Sequence, residues 1–240
     1  MPFSRSVVPL CPQREGAMPG YQVKLETIPV AGLAMQVRSL LDKQQFHDPD
    51  GEAERIGISS AAWPLFGLVW PSALVLAAHM QDAVLGERRI LEVGCGLGLA
   101  SLSLHRRHGD VTASDCHPLA GTFLGENLRL NVLPALPYLH GDWAAVNPAL
   151  GLFDLIIGSD VLYERNQPAA LAAFIERHSQ AAMQVVIVDP DRGNRPGFNR
   201  QMDMLGFTRE ELKITHLPDG STPYKGRVLS YLRKARPLLA

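Results

Sequence analysis

A glycine-rich turn between a predicted strand and a predicted helix constrains the fold of this chain more than any other feature. Residues 89–104 read RILEVGCGLGLASLSL, an apolar run that breaks into a turn and continues with helical spacing. The glycines of the turn are Gly94, Gly96 and Gly98. Glycine lets the backbone approach a ligand where a Cβ atom would collide, and the carboxylates of Glu92 and Asp115 can accept hydrogen bonds from ribose hydroxyls or from water around an amine. The pattern therefore predicts a site for a nucleoside-bearing cofactor.

The spacing of the glycines distinguishes between cofactors. A dinucleotide fingerprint has the order G-x-G-x-x-G, which would place its third glycine at position 99, where the sequence has Leu99. The turn also lacks a lysine or arginine that could neutralise a pyrophosphate. A nucleoside without a pyrophosphate fits this turn better. A dinucleotide site and a purely structural glycine turn are the alternatives.

Composition and charge narrow the class of protein. The chain has 240 residues, of which 46% are hydrophobic and 20% charged, enough for one well-buried α/β core. A formal net charge of -1 gives no general attraction to nucleic acid or to anionic lipid, so neither is expected as a partner. The cysteines Cys11, Cys95 and Cys116 form no C-x-x-C pair, which argues against a disulfide framework and against a zinc site.

No segment has the pattern of a membrane span or a leader peptide. No apolar run reaches the ~18 to 20 residues needed to cross a bilayer, and the first residues contain too many prolines for a signal peptide. We therefore expect a cytoplasmic protein. Residues 1–20 lack periodicity and are expected to be disordered, with Met18 as a candidate start, while residues 21–240 are expected to form one domain.

Strand and helix patterns alternate along most of the chain. Weak alternation in residues 21–41 predicts a small N-terminal hairpin, followed by a polar loop up to residue 62. The core strands are expected at 89–94, 110–115, 137–140, 153–158, 183–189, 207–215 and 227–232. A helix that begins at Pro71, with Leu74, Val75 and Ala78 facing inward, is expected before the first core strand. The core helices are expected at 98–107, 118–131, 166–180 and 196–205. Strands that are apolar on both faces and separated by helices predict a parallel sheet covered on both sides, and the short loop before the last strand predicts an antiparallel pair at the end.

From residue 63 to the end, the sequence resembles the seven-strand S-adenosylmethionine-dependent methyltransferases. The resemblance rests on the E-x-G-x-G-x-G order of motif I, and it implies a Rossmann-like sheet whose seventh strand inserts antiparallel beside the sixth. It implies that the turn residues Gly94, Cys95, Gly96 and Gly98 hold the cofactor together with Glu92, and that Asp115 binds the ribose hydroxyls. Asp142 and Trp143 would flank the adenine. The alternatives are that Asp142 is a turn or cap residue and that Trp143 is an ordinary, partly buried side chain.

Two further segments resemble the protein-lysine branch of this family. The segment WPLFGLVWPSA begins at Trp63, and the tetrapeptide Asp160-Val-Leu-Tyr163 follows the fourth core strand. In that branch the tryptophan matching Trp70 and the residue matching Ser159 line the cofactor, while Asp160 and Tyr163 face the methyl acceptor. A core aromatic at Trp70 and an ordinary boundary aromatic at Tyr163 are the alternatives.

The tetrapeptide also bears on the kind of nitrogen that is methylated. Enzymes that methylate planar amide nitrogens carry two prolines in the middle of this motif, where this chain has Val161 and Leu162. A deprotonated sp3 amine has a localised lone pair, so a carboxylate and a ring suffice to orient it. We expect Asp160 to accept or relay the amine proton and Tyr163 to position the amine of a protein lysine. A small nitrogenous acceptor and a non-catalytic cofactor-binding module are the rival hypotheses.

Overall fold

The structure is a computed structural model and describes residues 21–30, 32–44, 48 and 50–235. The predicted disorder of residues 1–20 and the candidate start at Met18 lie outside the described residues. Within them, the strands are β1 (Val23–Val30), β2 (Leu33–Leu40), β3 (Arg89–Val93), β4 (Asp110–Asp115), β5 (Tyr138–His140), β6 (Phe153–Ser159), β7 (Ser179–Asp189), β8 (Thr208–His216) and β9 (Pro223–Arg233). The helices are α1 (Glu52–Arg55), α2 (Pro71–Gln81), α3 (Leu99–Arg106), α4 (Ala120–Leu130), α5 (Gln167–Arg177) and α6 (Arg195–Met204).

Seven of these strands form one sheet with the order β5-β4-β3-β6-β7-β9-β8. The strands from β3 to β7 pair in parallel, and β9 lies antiparallel between β7 and β8. This confirms the predicted mostly parallel sheet with a reversed last strand. The remaining strands, β1 and β2, form the predicted antiparallel hairpin, in which Val23 lies opposite Leu40.

Helices cover both faces of the sheet, as predicted. Alternate residues of a central strand enter two different apolar clusters: Leu155 and Ile157 pack with α2, α3 and α4, whereas Ile156 packs with α5 and α6. Because side chains of a strand alternate between its faces, a strand covered on both sides has no polar face, which explains the continuous apolar runs in the sequence.

Three element predictions were wrong in detail. The polar stretch before residue 62 contains the short helix α1, and α5 ends at Arg177, so that β7 begins at Ser179 rather than at 183. In α2, the expected inward residues Leu74 and Ala78 are only half-buried, whereas Leu76 and Ala77 are fully buried. The helix lies between the hairpin and the sheet, so packing on two sides blurs its helical periodicity.

Two asparagines, one in α4 and one immediately after it, bind the hairpin to the core. The side-chain oxygen of the fully buried Asn127 accepts a hydrogen bond from the backbone N–H of Arg38 at 2.7 Å, and its amide nitrogen donates to the backbone oxygens of Arg38 and Leu97, both at 3.3 Å. Asn131 forms the same pair of bonds with Gln36. These amides form hydrogen bonds with the backbone groups at the edge of β2, as a neighbouring strand would. Asn127 also links the hairpin to the glycine-rich turn through Leu97.

Candidate active site

The glycine-rich turn follows β3 at the carboxyl edge of the sheet. Gly94, Gly96 and Gly98 all have positive φ, at 58°, 52° and 73°. A Cβ at Gly96 would lie 2.8 Å from the backbone oxygen of Phe66, and one at Gly98 would lie 2.4 Å from Leu124 Cδ1. Backbone conformation and close packing therefore both require glycine in this turn.

Asp115 joins this turn to the loop after β4. One carboxylate oxygen accepts a hydrogen bond from the backbone N–H of Gly96 at 2.8 Å, and the other accepts one from the N–H of His117, also at 2.8 Å. Burial raises the pKa of the Asp115 carboxyl above its ordinary value. The structure thus places this acid beside the glycine turn, where the sequence predicted it.

Glu92 is buried between β3 and α3. Its Oε2 atom accepts hydrogen bonds from the backbone N–H of Ser101 at 2.8 Å and from the Ser101 hydroxyl. Burial raises the pKa of Glu92 to about 7, an effect that the two bonds from Ser101 only partly offset. This contact fixes the first turn of α3 behind the glycine turn, and the expected contact of Glu92 with water around a cofactor amine stays a prediction.

An aromatic wall that the sequence analysis missed lies beside Asp115. The His117 ring stacks on Phe66 with 3.7 Å between ring centroids, and both contact Trp63 edge-on. His117 Nδ1 accepts a hydrogen bond from the N–H of Leu119, and burial lowers the pKa of His117 to about 4, so the ring is neutral at physiological pH. The position of His117, two residues after the predicted ribose acid, was the one available sequence signal.

The loop after β5 carries Asp142 and Trp143. Asp142 is exposed, and its Oδ1 accepts a hydrogen bond from the backbone N–H of Ala144 at 2.8 Å, the geometry of a turn residue. Trp143 is half-buried and packs against the apolar cluster that contains α5. The backbone N–H of Gly141, the residue before Asp142, donates a hydrogen bond to the backbone oxygen of Asp115 at 2.9 Å, so Asp142 lies close to the loop after β4.

The remaining predicted cofactor residues are Trp70, Cys95 and Ser159, and they come from three separate segments of the chain. Trp70 caps the N-terminus of α2, and its indole N–H donates a hydrogen bond to the backbone oxygen of Leu65 at 2.7 Å. The buried Cys95 donates its backbone N–H to Ser114 in β4 at 3.0 Å. Ser159 is half-buried at the end of β6. Trp70 is therefore a border residue rather than a core aromatic.

Asp160 is held in place on two sides immediately after β6. It has a positive φ of 54°, and its backbone N–H donates to Val188 in β7 at 2.8 Å. Its carboxylate receives two hydrogen bonds from Arg192, at 2.5 Å from Nε and 2.7 Å from Nη2. Arg192 lies in the loop after β7 and was not among the predicted site residues.

Tyr163 completes the tetrapeptide. Its side chain is 43% exposed, and burial of the remainder raises the pKa of the phenol to about 12, so it stays protonated at physiological pH. A Cβ at Gly94 would lie 2.8 Å from Val161 Cγ1, so the tetrapeptide that contains Tyr163 packs against the glycine turn. Asp160 and Tyr163 therefore both follow β6 at the edge of the sheet that carries the glycine turn.

A family model described as lysine methyltransferase matches residues 62–201, more than half of the chain. The chain belongs to this family. A magnesium-protoporphyrin O-methyltransferase from Rhodobacter capsulatus is 32% identical over 94 residues, which are 39% of this chain and 41% of that protein. The chain thus matches about two fifths of the length of this curated relative.

Two solved structures share the fold of this family member. One is the T. thermophilus 16S rRNA N2 G1207 methyltransferase RsmC in complex with AdoMet and guanosine, with a TM-score of 0.61 and 17% identity over 92% of this chain and 53% of that one. The other is the magnesium protoporphyrin IX methyltransferase ChlM from Synechocystis PCC 6803 with bound SAM, with a TM-score of 0.53 and 18% identity over 68% and 78% of the two chains. Both of these solved structures contain S-adenosylmethionine.

The residues at the crevice of this family member fit that cofactor. The turn from Gly94 to Gly98 contains no cationic side chain, which suits a ligand without a pyrophosphate. The Asp115 carboxylate lies beside this turn and is the type of group that accepts hydrogen bonds from ribose hydroxyls. In the part of the chain that the structure describes, no cluster of three or more histidine, cysteine or acidic residues could hold a metal ion. Among the same residues, no helix has the length and apolar character to cross a membrane.

Replacing Glu92 with glutamine will reduce the pH dependence of the unfolding free energy. Between its ordinary pKa of 4.5 and the folded-state pKa of about 7, Glu92 keeps a proton that the unfolded chain has released. Its contribution to stability is therefore greatest below pH 4.5 and falls by ~3 kcal/mol as the pH rises to about 7. Urea unfolding from pH 4.5 to 8 should show Glu92→Gln gaining this amount over the wild type. A difference between the two proteins that is constant with pH would contradict this role.

Proposed function

We propose that this chain transfers a methyl group from S-adenosylmethionine to the side-chain amine of a lysine in a protein. The observation that carries the proposal is the pair formed by Asp160 and Tyr163 at the carboxyl end of β6. The Asp160 carboxylate is 11% exposed and is held by Arg192, while the Tyr163 phenol is neutral and 43% exposed, and Val161 between them packs against Gly94. An amine that enters here meets one acceptor oxygen and one aromatic ring, which is enough to aim its lone pair.

On the cofactor side, the loops after β3, β4 and β5 would hold the nucleoside. The turn residues Gly94, Cys95, Gly96 and Gly98 would approach it through their backbone, and Asp115 would accept hydrogen bonds from the ribose hydroxyls. Asp142 and Trp143 would flank the adenine. Trp70 and Ser159 would border the amino-acid portion, and Glu92 would act indirectly by fixing α3 through Ser101.

The bound cofactor supplies a methyl group on a sulfonium: the amine lone pair forms the new N–C bond, and the electrons of the broken C–S bond stay on sulfur, leaving S-adenosylhomocysteine. The chain must present the lysine as a neutral amine, although its reference pKa is ~10.4. Asp160 accepts a hydrogen bond from the amine and fixes its direction, and the proton lost before the transfer leaves toward solvent past the exposed face of Tyr163.

The geometry favours a protein acceptor over a small molecule. Strands β1 and β2 form a hairpin that Asn127 and Asn131 fix to the C-terminal part of α4, and Tyr163 remains 43% exposed. A large acceptor can reach the exposed phenol directly, whereas a small acceptor benefits from a cover that excludes water. The porphyrin relative supports a small molecule as the second candidate. The presence of Asp160 and Tyr163 in a tetrapeptide that packs against Gly94 through Val161 supports an enzyme over a non-catalytic module.

We also propose that the protein is cytoplasmic and that it contains a single methyltransferase domain. Cys95 and Cys116 are both free thiols, which supports a reducing cytoplasm. We also infer that residues 21–240 act as one methyltransferase domain, since the hairpin contacts α4 and the glycine turn through Asn127.

The proposal is tested by incubating the purified chain with cell lysate and S-adenosylmethionine labelled on its methyl group. We expect label in a protein band, and hydrolysis of that band should release methylated lysine. Nuclease treatment and filtration separate the other outcomes. Label in the small-molecule fraction would support the second candidate instead, and label that disappears with nuclease would identify an RNA acceptor. Either of these results without protein label would overturn the lysine assignment.

A further inference from the structure

The ion pair between Arg192 and Asp160 lies at the acceptor side of the crevice. The guanidinium binds the carboxylate through both Nε and Nη2, and the carboxylate is 11% exposed while the arginine side chain is 42% exposed. Exposed ion pairs contribute little, but a two-point contact to a mostly buried carboxylate fixes both groups. Hydrogen bonding to Asp160 also raises the pKa of Arg192, so its charge is permanent. The acceptor amine therefore meets a carboxylate that already has a cation beside it.

The loop after β7 is built to hold Arg192 in this position. Asp191 and Gly193, on either side of it, have φ of 58° and 93°. Asp191 pairs with Arg195 and with Arg227 of β9. On the other side, the Asn194 side chain donates a hydrogen bond to the backbone oxygen of Leu162, within the tetrapeptide, at 2.8 Å. The loop and the tetrapeptide thus form one unit.

We propose that Arg192 is a positioning residue that sets the charge of the acceptor site so that a bound lysine is held as a neutral amine. The proposal rests on the proposed lysine acceptor. A lone carboxylate at Asp160 would favour the ammonium form, which has no lone pair for attack. The guanidinium compensates that charge and adds a positive field, and both effects favour loss of the amine proton. Asp160 keeps a free lone pair on each oxygen to orient the amine.

Other charged and titratable groups face Arg192 from the neighbouring elements. These are Asp160 and Tyr163 after β6, Asp189 and Asp191 at the end of β7, Arg195 of α6, and Tyr224 of β9. Burial raises the pKa of both tyrosines to about 12, and Tyr224 also hydrogen bonds with Ser72 at 2.9 Å. Burial raises the pKa of Asp189 above its ordinary value of 3.8 as well. The two phenols and Arg192 keep one charge state between pH 7 and 10, so titration of a bound amine can be observed in that range.

The first test is the pH profile of kcat for the wild type, Arg192→Gln and Arg192→Lys, with S-adenosylhomocysteine affinity measured in parallel. In Arg192→Gln, the pH at which kcat rises should be higher by about one unit than in the wild type. At pH 7.5 kcat is then about tenfold lower, and it recovers at high pH. Arg192→Lys keeps the positive charge, so its kcat should rise at the same pH as that of the wild type. Arg200→Gln, which removes an exposed arginine of α6, is the control and should match the wild type. A uniform loss at every pH in Arg192→Gln would mean a merely structural role and overturn the proposal.

The second test needs no acceptor. Sinefungin resembles S-adenosylmethionine but carries a primary amine in place of the sulfonium methyl group, so calorimetry reports how the site receives an ammonium. The measured quantity is the ratio of the affinity for sinefungin to the affinity for S-adenosylhomocysteine. This ratio should be about tenfold higher in Arg192→Gln than in the wild type, and Arg192→Lys should have the wild-type ratio. An unchanged ratio would refute the charge effect. If the ratio shifts but lysate proteins take no label, the lysine assignment fails while the role of Arg192 stands.

Discussion

Replacing Asp160 with asparagine will reduce methyl transfer by about a thousandfold, while S-adenosylhomocysteine affinity changes by less than about threefold. Asparagine tolerates the positive φ of this position, so the backbone after β6 is preserved. The substitution removes the charge and half of the two-point contact with Arg192, and it leaves the acceptor amine beside an unpaired guanidinium. Asp160→Ala should show the same loss of transfer, with an added loss of stability from alanine at positive φ.

The matched control for Asp160 is Glu164→Ala, which removes an exposed carboxylate from the same loop. Its transfer rate should stay within about twofold of the wild type. Single-turnover kinetics and calorimetry on the same preparations separate transfer from binding. If affinity for S-adenosylhomocysteine falls in parallel with transfer in Asp160→Asn, then Asp160 belongs to the cofactor site and its place on the acceptor side is wrong.

Replacing Gly96 with alanine will lower cofactor affinity by at least about a hundredfold and the unfolding free energy by ~3 kcal/mol. The φ of 52° is unfavourable for any residue with a Cβ, and this Cβ would lie 2.8 Å from the backbone oxygen of Phe66. The backbone of Phe66 cannot move aside as a flexible side chain can. The turn must therefore shift, which also weakens the hydrogen bond from the Gly96 N–H to Asp115.

The same substitution in α4 provides the control. Gly125 is exposed within a regular helix, and a Cβ there would meet no atom within 4 Å. Gly125→Ala should raise the unfolding free energy by ~0.5 to 1 kcal/mol and leave cofactor affinity unchanged. Urea unfolding and calorimetry measure both effects. Equal effects of the two substitutions would show that neither the conformation nor the packing of the turn matters.

The sequence was sufficient to predict the sheet, because its strands follow from local patterns. Apolar runs such as residues 155–157 and 185–188 predict strands buried on both faces, and such strands require helices on both sides. The turn from Gly94 to Gly98 and the acid Asp115 were identified by their spacing alone. Parallel strands bring their carboxyl ends to one edge, so the approximate position of the predicted site followed from the strand order.

Contacts between distant residues could not be predicted in this way. Arg192 binds Asp160 across 32 positions, and Asn127 binds Arg38 across 89, in both cases because the fold brings together segments with no shared pattern. The bond between Glu92 and Ser101 spans only nine positions, yet it depends on how closely α3 approaches β3. Such details follow from packing, which periodicity does not specify.

Tandem mass spectrometry is the most direct measurement of the central claim, that the acid and phenol after β6 direct methyl transfer to a lysine. The wild type and Asp160→Asn are incubated with lysate and with S-adenosylmethionine that carries a trideuterated methyl group. We expect deuterated methyl on lysine side chains of one or a few proteins with the wild type, and none with Asp160→Asn. Deuterium on another residue type, on RNA or only on small molecules, or equal lysine labelling by both proteins, would contradict the claim.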